Sequence, residues 1–245
     1  MRNLKLTIRY DGTDFQGWQT QPEFRTVQET IEGAISSITQ EPRVRVNGAG
    51  RTDSGVHALG QVANVYTEST LDCATLLKAF NAKLPEDVAI LRCEEVHQSF
   101  CANRDAVGKR YRYVINDGRV SDPFLRRYAW QFQRPIDDEA MQRASRVLIG
   151  RHDFRCFETH FPNRMTSVRT IAYLSVVRKN ETVEIEVEAD GFLYNMVRAI
   201  TGTLVQVGRG YWPEEQVKTV LEAMDRRLAG PTAPPQGLFM LFVKY

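Results

Sequence analysis

The chain has 245 residues and a formal net charge of +2, with 42% hydrophobic and 25% charged residues. This composition is typical of a globular protein and excludes bulk disorder, and the length allows one large domain or two ordinary ones. The first ten residues carry charges inside their apolar run, and no stretch approaches the roughly 18 apolar residues of a membrane helix. We therefore expect a cytoplasmic protein without a signal peptide or a membrane span.

The first hundred residues alternate between strand and helix patterns in the order βαββαβ. Strands are predicted over residues 4–10, 43–46, 61–67 and 88–96. Thr26-Val-Gln-Glu29 matches a capping box before an apolar helical stripe that Pro42 ends, and a second helix is predicted over residues 71–84. This order is that of a ferredoxin-like fold.

The second half repeats a similar order. Strands are predicted over residues 109–115, 128–132, 168–177, 182–189 and 238–243, and helices over residues 136–148, 192–207 and 213–228. No flexible linker separates the halves. We predict an α+β fold of two ferredoxin-like halves, residues 1–100 and 101–245, that share a mostly antiparallel sheet with helices on one side.

Charge is unevenly distributed along the second half. Residues 104–134 hold eight basic residues against three aspartates, whereas residues 181–190 hold five acidic residues. A protein polarised in this way can hold a polyanion on one face while it stays nearly neutral overall, although a solvated charged surface would look the same.

Residues 48–58, Gly-Ala-Gly-Arg-Thr-Asp-Ser-Gly-Val-His-Ala, place Arg51 and Asp53 between three glycines. Glycine permits positive φ and leaves room for a ligand to approach, so the loop is suited to present one cation and one carboxylate. The alternative is an ordinary surface turn, in which the aspartate bonds its own backbone.

Two further segments could carry chemistry. On a strand over residues 109–113, Tyr111 and Tyr113 point to one face, where they could stack on a base or simply form core. Arg198 lies inside an apolar helix and needs a carboxylate partner, either Asp53 or a glutamate of the acidic strand. For Trp18 we favour packing over ligand contact, because large aromatic side chains are mostly buried.

Metal and nucleophile motifs are missing from the sequence. The four cysteines show neither C-x-x-C spacing nor a cluster with histidine, which argues against zinc and for a reducing compartment. No serine or cysteine nucleophile motif, P-loop or dinucleotide-binding glycine motif is present.

The chain resembles the tRNA pseudouridine synthase A family along essentially its whole length. Ile8-Arg-Tyr-Asp-Gly-Thr-Asp-Phe-Gln-Gly-Trp-Gln19 resembles the N-terminal signature of that family, and residues 48–58 resemble its catalytic loop. Further matches in order and spacing are Arg110-Tyr-Arg-Tyr113, Phe192 with Met196-Val-Arg198, and Ala233-Pro-Pro-Gln-Gly-Leu238. Ser54 departs from the family pattern, where alanine is common.

The resemblance implies the pseudouridine synthase fold and isomerisation of uridine to pseudouridine at nucleotides 38, 39 and 40 of the tRNA anticodon stem-loop. It implies that Asp53 is the catalytic nucleophile, that Arg51 helps to flip the target nucleotide, and that Arg198 pairs with Asp53. It also implies that Tyr111 stacks on the flipped uracil and that the protein is a cytoplasmic homodimer, which needs neither metal nor cofactor.

The same resemblance places two segments and the basic strand against tRNA. The expected RNA-binding residues are Phe100, Cys101, Ala102, Asn103, Arg104, Lys109, Arg110, Phe161, Pro162, Asn163, Arg164 and Met165. Two other functions are compatible with parts of the sequence. A non-catalytic RNA-binding protein could use the same basic strand, and a metal-dependent phosphoesterase would need clustered carboxylates, of which the glycine loop offers one.

Overall fold

A computed structural model describes residues 1–159 and 166–245, and the chain divides into two units. The first unit contains Met1–Val107 together with Phe239–Tyr245, and the second contains Gly108–Leu238. The sequence predicts a boundary after residue 100 with the final strand in the second half, whereas the first unit extends to Val107 and includes that strand from Phe239.

Alternating apolar residues build the sheet of the first unit, in the predicted order βαββαβ. Its elements are β1 (Arg2–Tyr10), α1 (Val27–Thr39), β2 (Val46–Gly48), β3 (His57–Thr67), α2 (Cys73–Asn81) and β4 (Val88–Val96). Strand β1 lies antiparallel between β3 and β4, with Leu6 opposite both Ala63 and Cys93. Leu4, Leu6 and Ile8 are fully buried on one face, which is the period-2 pattern of a half-buried strand.

The predicted capping box at Thr26 is wrong. Thr26 precedes α1 in an extended conformation, but its side chain makes no capping hydrogen bond. Instead, the Val27 and Gln28 N–H groups donate to the carbonyl oxygens of Gly17 and Trp18, at 3.2 and 3.0 Å. The loop before the helix therefore satisfies the first turn and is itself held in place. Helix α2 does have a side-chain cap, because Asp72 accepts from two backbone N–H groups of its first turn.

The second unit is also α+β, and its sheet is antiparallel apart from one short strand. Its elements are β5 (Gly108–Asn116), β6 (Trp130–Gln131), α3 (Asp138–Ser145), β7 (Gly150–Asp153), β8 (Val168–Lys179), β9 (Thr182–Ala189), α4 (Met196–Gly208) and α5 (Gln216–Ala223). The strands follow the order β5-β9-β8-β7, all antiparallel, and β6 pairs parallel with β5.

Helices α4 and α5 differ in extent from the prediction, and one strand of this unit was not predicted. Helix α4 begins at Met196 rather than at residue 192, because Asn195 adopts a left-handed backbone with φ 59°. Helix α5 ends at Ala223, since Met224 is left-handed with φ 52°. Strand β7 was not predicted, because its polar sequence lacks apolar alternation.

The last strand, β10 (Leu238–Lys244), runs parallel to β3 in the first unit, with Phe239 opposite His57. Within each unit the pairing is mostly antiparallel, so the predicted α+β class is confirmed. In the part of the chain that the structure describes, no helix has the length and apolar character needed to cross a bilayer.

Candidate active site

The loop between β2 and β3 presents Arg51 and Asp53 on either side of a buried threonine. Thr52 is only 6% exposed, whereas Arg51 is exposed and Asp53 is half-buried. Thr52 Oγ1 lies 2.8 Å from the Tyr10 hydroxyl, and the Thr52 carbonyl oxygen accepts from the Trp18 N–H at 3.0 Å. The threonine therefore anchors the loop from inside, between its two charged neighbours.

Glycines let the N-terminal loop and the 49–56 loop lie against each other. A Cβ on Gly48 would come within 2.5–2.7 Å of the Trp18 indole, and one on Gly17 would lie 2.5 Å from the Thr52 carbonyl oxygen. Gly55 adopts φ 76°, which favours glycine. Gly48 therefore makes room for the protein's own tryptophan, which is a different use from the ligand access that the sequence suggested. Trp18 is 2% exposed, so the packing interpretation is confirmed.

Two buried polar side chains complete the support of the loop, and sequence reasoning assigned a role to neither. Tyr10 is at the end of β1, and burial raises the pKa of its hydroxyl, which stays protonated as a hydrogen-bonding group. Gln61 donates from Nε2 to the Gly50 carbonyl oxygen at 2.8 Å. Tyr10 could have been found from the sequence, because it is a residue with a hydroxyl group at the end of an apolar strand, and a buried tyrosine hydroxyl usually has a hydrogen-bond partner.

In the second unit, β5 carries both tyrosines on its buried face, as the alternation predicted. Tyr113 is fully buried, and its hydroxyl donates to the Pro234 carbonyl oxygen at 2.7 Å. Tyr111 is 7% exposed, and its ring meets the ring of Phe192 edge to face at 4.9 Å. Tyr113 is thus a core residue, whereas Tyr111 keeps a small exposed area beside a second aromatic ring.

Arg198 is half-buried near the start of α4 and is held by two neutral acceptors. Its Nε donates to the Ala233 carbonyl oxygen and its Nη1 to Asn195 Oδ1, each at 2.7 Å. The Ala233 N–H in turn donates to the Arg198 carbonyl oxygen at 3.1 Å. The loop after Gly230 can approach the helix this closely because position 202 is a glycine, where a Cβ would lie 1.7 Å from the Pro231 carbonyl oxygen.

Two arginines of the basic segment form ion pairs with glutamates of the acidic segment. Strands β5 and β9 pair so that Arg110 lies opposite Glu188 and Arg112 opposite Glu186. Arg110 Nη2 is 2.7 Å from Glu188 Oε2, and Arg112 Nε is 3.2 Å from Glu186 Oε1. The polarised polyanion face predicted from the sequence is therefore wrong for these two arginines, because strand pairing brings the opposite charges together.

The predicted RNA-binding segment around residue 100 is partly core. Phe100 packs against the buried Ala49 and Ala102, and the Ala102 N–H donates to Asn64 Oδ1 at 3.0 Å. Asn103 and Arg104 are exposed, and Arg104 Nε donates to Asp105 Oδ1 at 2.8 Å. Asn103 and Arg104 are thus the fully exposed residues among positions 100–104.

The second predicted segment, Phe161, Pro162, Asn163, Arg164 and Met165, lies outside the described residues. Within residues 1–159 and 166–245, no group of three or more histidine, cysteine or carboxylate side chains is arranged to hold a metal ion.

Known proteins are similar to this chain along its full length. A family model described as tRNA pseudouridine synthase matches residues 6–107 and 144–245, which include the Arg51–Asp53 loop and Arg198. Over 245 residues that span all of both chains, the chain is 45% identical to tRNA pseudouridine synthase A of Acetivibrio thermocellus and 42% identical to that of Thermoanaerobacter pseudethanolicus. It is 43% identical, with the same full coverage, to tRNA pseudouridine synthase A 2 of Clostridium perfringens. The chain therefore belongs to the tRNA pseudouridine synthase family and is an isomerase that acts on tRNA.

Proposed function

We propose that this enzyme converts uridine to pseudouridine at nucleotides 38, 39 and 40 of the tRNA anticodon stem-loop, with Asp53 as the nucleophile. The observation that carries the proposal is the loop anchored at Thr52, which holds an exposed cation and a half-buried carboxylate at the two positions that flank the threonine. Resemblance to the tRNA pseudouridine synthase A family supplies the nucleotide positions.

The chemistry requires the target base to leave its stack. An enzyme that acts on a base in a stem must flip the nucleotide out, which costs a few kcal/mol. Arg51 is exposed and precedes Asp53 by two residues, so its side chain is suited to fill the vacated space while the carboxylate faces the nucleotide. The bond between uracil N1 and the ribose breaks, the base rotates, and a bond from C5 to the same ribose carbon forms. The proton that C5 loses is balanced by the proton that N1 gains. Substrate and product are isomers, so no water or redox agent is consumed.

An ionised Asp53 is the form that acts as a nucleophile. We propose that Arg198 pairs with it, because an adjacent guanidinium favours the charged form of a carboxyl. The fixed geometry of Arg198 supports this role, since two hydrogen bonds of 2.7 Å orient its guanidinium. For Tyr111 we propose stacking on the flipped uracil, which its contact with Phe192 and its small exposed area support.

We also propose that tRNA contacts come from Phe100, Cys101, Ala102, Asn103, Arg104, Lys109 and Arg110, and from residues 161–165. The exposure of Asn103 and Arg104 supports this assignment. Arg110 already donates hydrogen bonds to Glu186 and Glu188, so a tRNA phosphate would compete with these two carboxylates for its guanidinium. A cytoplasmic homodimer that holds one tRNA between its subunits completes the proposal.

Mapping the product tests the proposed positions. We expect that incubation of the protein with an unmodified tRNA transcript, followed by chemical probing for pseudouridine, gives product at uridines 38, 39 or 40. A matched transcript with cytidine at all three positions should give none. Product confined to other nucleotides would contradict the proposed specificity.

A further inference from the structure

Asn195 is the N-cap of α4, yet it does not cap the helix. An N-cap asparagine normally uses its side-chain oxygen to accept a backbone N–H of the first turn. Here the side chain makes no capping hydrogen bond, and the backbone is left-handed with φ 59° and ψ 10°. An unused cap on a backbone of this kind indicates that the side chain serves another purpose.

The amide of Asn195 connects Arg198 to Thr159. Its Oδ1 accepts from Arg198 Nη1 at 2.7 Å, and its Nδ2 donates to Thr159 Oγ1 at 2.7 Å. The guanidinium has donors only, so the oxygen of the amide must face Arg198 and the nitrogen must face Thr159. The orientation of the amide is therefore fixed by chemistry.

Arg198 is thereby held through two different nitrogen atoms. Asn195 takes Nη1, and the Ala233 carbonyl oxygen takes Nε. Two acceptors at separate positions on a planar group define both its place and the direction of its plane. Both of these acceptors are neutral groups, a side-chain amide oxygen and a backbone carbonyl oxygen.

We propose that Asn195 is a positioning residue that aims the guanidinium of Arg198 for the reaction, and that Thr159 holds the Asn195 amide in the required orientation. This inference rests on the proposed function, which assigns Arg198 to the catalytic carboxylate. Asn195 acts through Arg198 and touches neither uracil nor ribose.

The left-handed backbone offers a clean variant. Glycine adopts positive φ without strain and is accepted at N-caps, so Asn195→Gly removes both side-chain hydrogen bonds and keeps the local fold. We expect a fall in kcat of about 10- to 100-fold, because misplacing a reacting group by about 1 Å has an effect of that order. The Kd for an unmodified tRNA transcript should stay within about twofold.

Substitutions at Thr159 test the same hydrogen-bond chain without changing Asn195 or its left-handed backbone. Thr159→Val removes the partner of Asn195 Nδ2 and should lower kcat by several-fold, and Thr159→Ser, which keeps the hydroxyl, should restore most of that loss. Thr219→Val is the matched control, because the Thr219 hydroxyl bonds the Glu215 carbonyl oxygen on the exposed surface of α5. We expect its kcat to equal that of the parent protein.

A double-mutant cycle separates positioning from a general effect on folding. In an Arg198→Lys background, Asn195→Gly should add less than a twofold further loss, because its target is already gone. Arg198→Leu is expected to be inactive if the proposed function is right. Given that result, additive losses in the cycle, or a kcat within twofold of the parent for both Asn195→Gly and Thr159→Val, would overturn the positioning proposal. Full activity of Arg198→Leu would instead remove the catalytic role of Arg198 from the proposed function, and the positioning role with it.

Discussion

The hydroxyl of Tyr10 lies 2.8 Å from Oγ1 of Thr52 in the interior of the first unit. Thr52 separates Arg51 from Asp53, so a hydrogen bond between two uncharged, buried groups sets the position of the two charged side chains. Trp18 also holds the loop, because its backbone N–H donates to the Thr52 carbonyl oxygen and its indole packs against Gly48. The loop therefore takes its shape from the sheet and from the N-terminal loop.

Tyr10→Phe tests this anchor. The variant leaves the buried Thr52 hydroxyl without that partner, so we expect a loss of about 1–2 kcal/mol in the free energy of unfolding. We also expect kcat to fall by about tenfold, because the loop loses its fixed position. The kinetic effect should be constant between about pH 6 and 9, because burial raises the pKa of Tyr10 above the usual tyrosine value of about 10.

The control for this variant is Tyr66→Phe, which removes a surface hydroxyl that donates to the Gln98 carbonyl oxygen. Its kcat should match that of the parent protein. An unchanged kcat in Tyr10→Phe would mean that Asp53 is positioned by other contacts.

Gly48→Ala tests the packing of Trp18 against the loop. The new methyl group would lie 2.5–2.7 Å from three atoms of the indole, so the tryptophan must shift. We expect a loss of about 1–3 kcal/mol in the free energy of unfolding, as measured by urea denaturation. Gly33→Ala in α1 is the matched control, since beyond the backbone of its own helix the new methyl group would meet no atom within 4 Å. That variant should be as stable as the parent or up to about 1 kcal/mol more stable, and equal destabilisation by both substitutions would contradict the packing argument.

Regular apolar patterns made most of the fold predictable. The buried run Leu4, Leu6 and Ile8 fixes β1, and similar alternation fixes β5 and β9. These patterns failed where a single side chain or a single left-handed residue sets the end of a helix. Helix α4 starts four residues late because Asn195 has positive φ. Asparagine tolerates that backbone better than most residues, but the preference is too weak to mark a helix start from sequence.

The charged residues of the candidate site could be predicted from the sequence, but the contacts of the buried residues that hold them in place could not. Arg51 and Asp53 stand out because glycines flank them, and Arg198 because its neighbours are apolar. Tyr10 and Thr52 are 42 residues apart in sequence, so only the folded sheet brings their hydroxyls together. The predicted basic face failed at Arg110 and Arg112 for a related reason. The pairing of β5 with β9 brings basic and acidic residues together that are far apart in the sequence.

Arg104→Gln tests the proposed tRNA contact near residue 100. Arg104 is exposed, and its neighbour Asp105 is the carboxylate bonded to it. If it contacts a phosphate, its loss should weaken tRNA binding and lower the slope of log Kd against log salt by about one. Arg143→Gln is the matched control, because Arg143 is an exposed arginine on α3 that donates a hydrogen bond to Glu214. This variant should leave the slope unchanged. Identical slopes for both variants would remove Arg104 from the RNA interface.

Asp53→Asn tests the central claim most directly, with Ser54→Ala as the neighbouring control. The asparagine has nearly the same shape as the aspartate but carries no charge and is not a nucleophile. We predict that an unmodified tRNA transcript binds Asp53→Asn with a Kd within a few-fold of that of the parent protein, and that single-turnover reactions yield no pseudouridine. Ser54→Ala should turn over normally. Pseudouridine formation by Asp53→Asn at a rate near that of the parent would contradict the account.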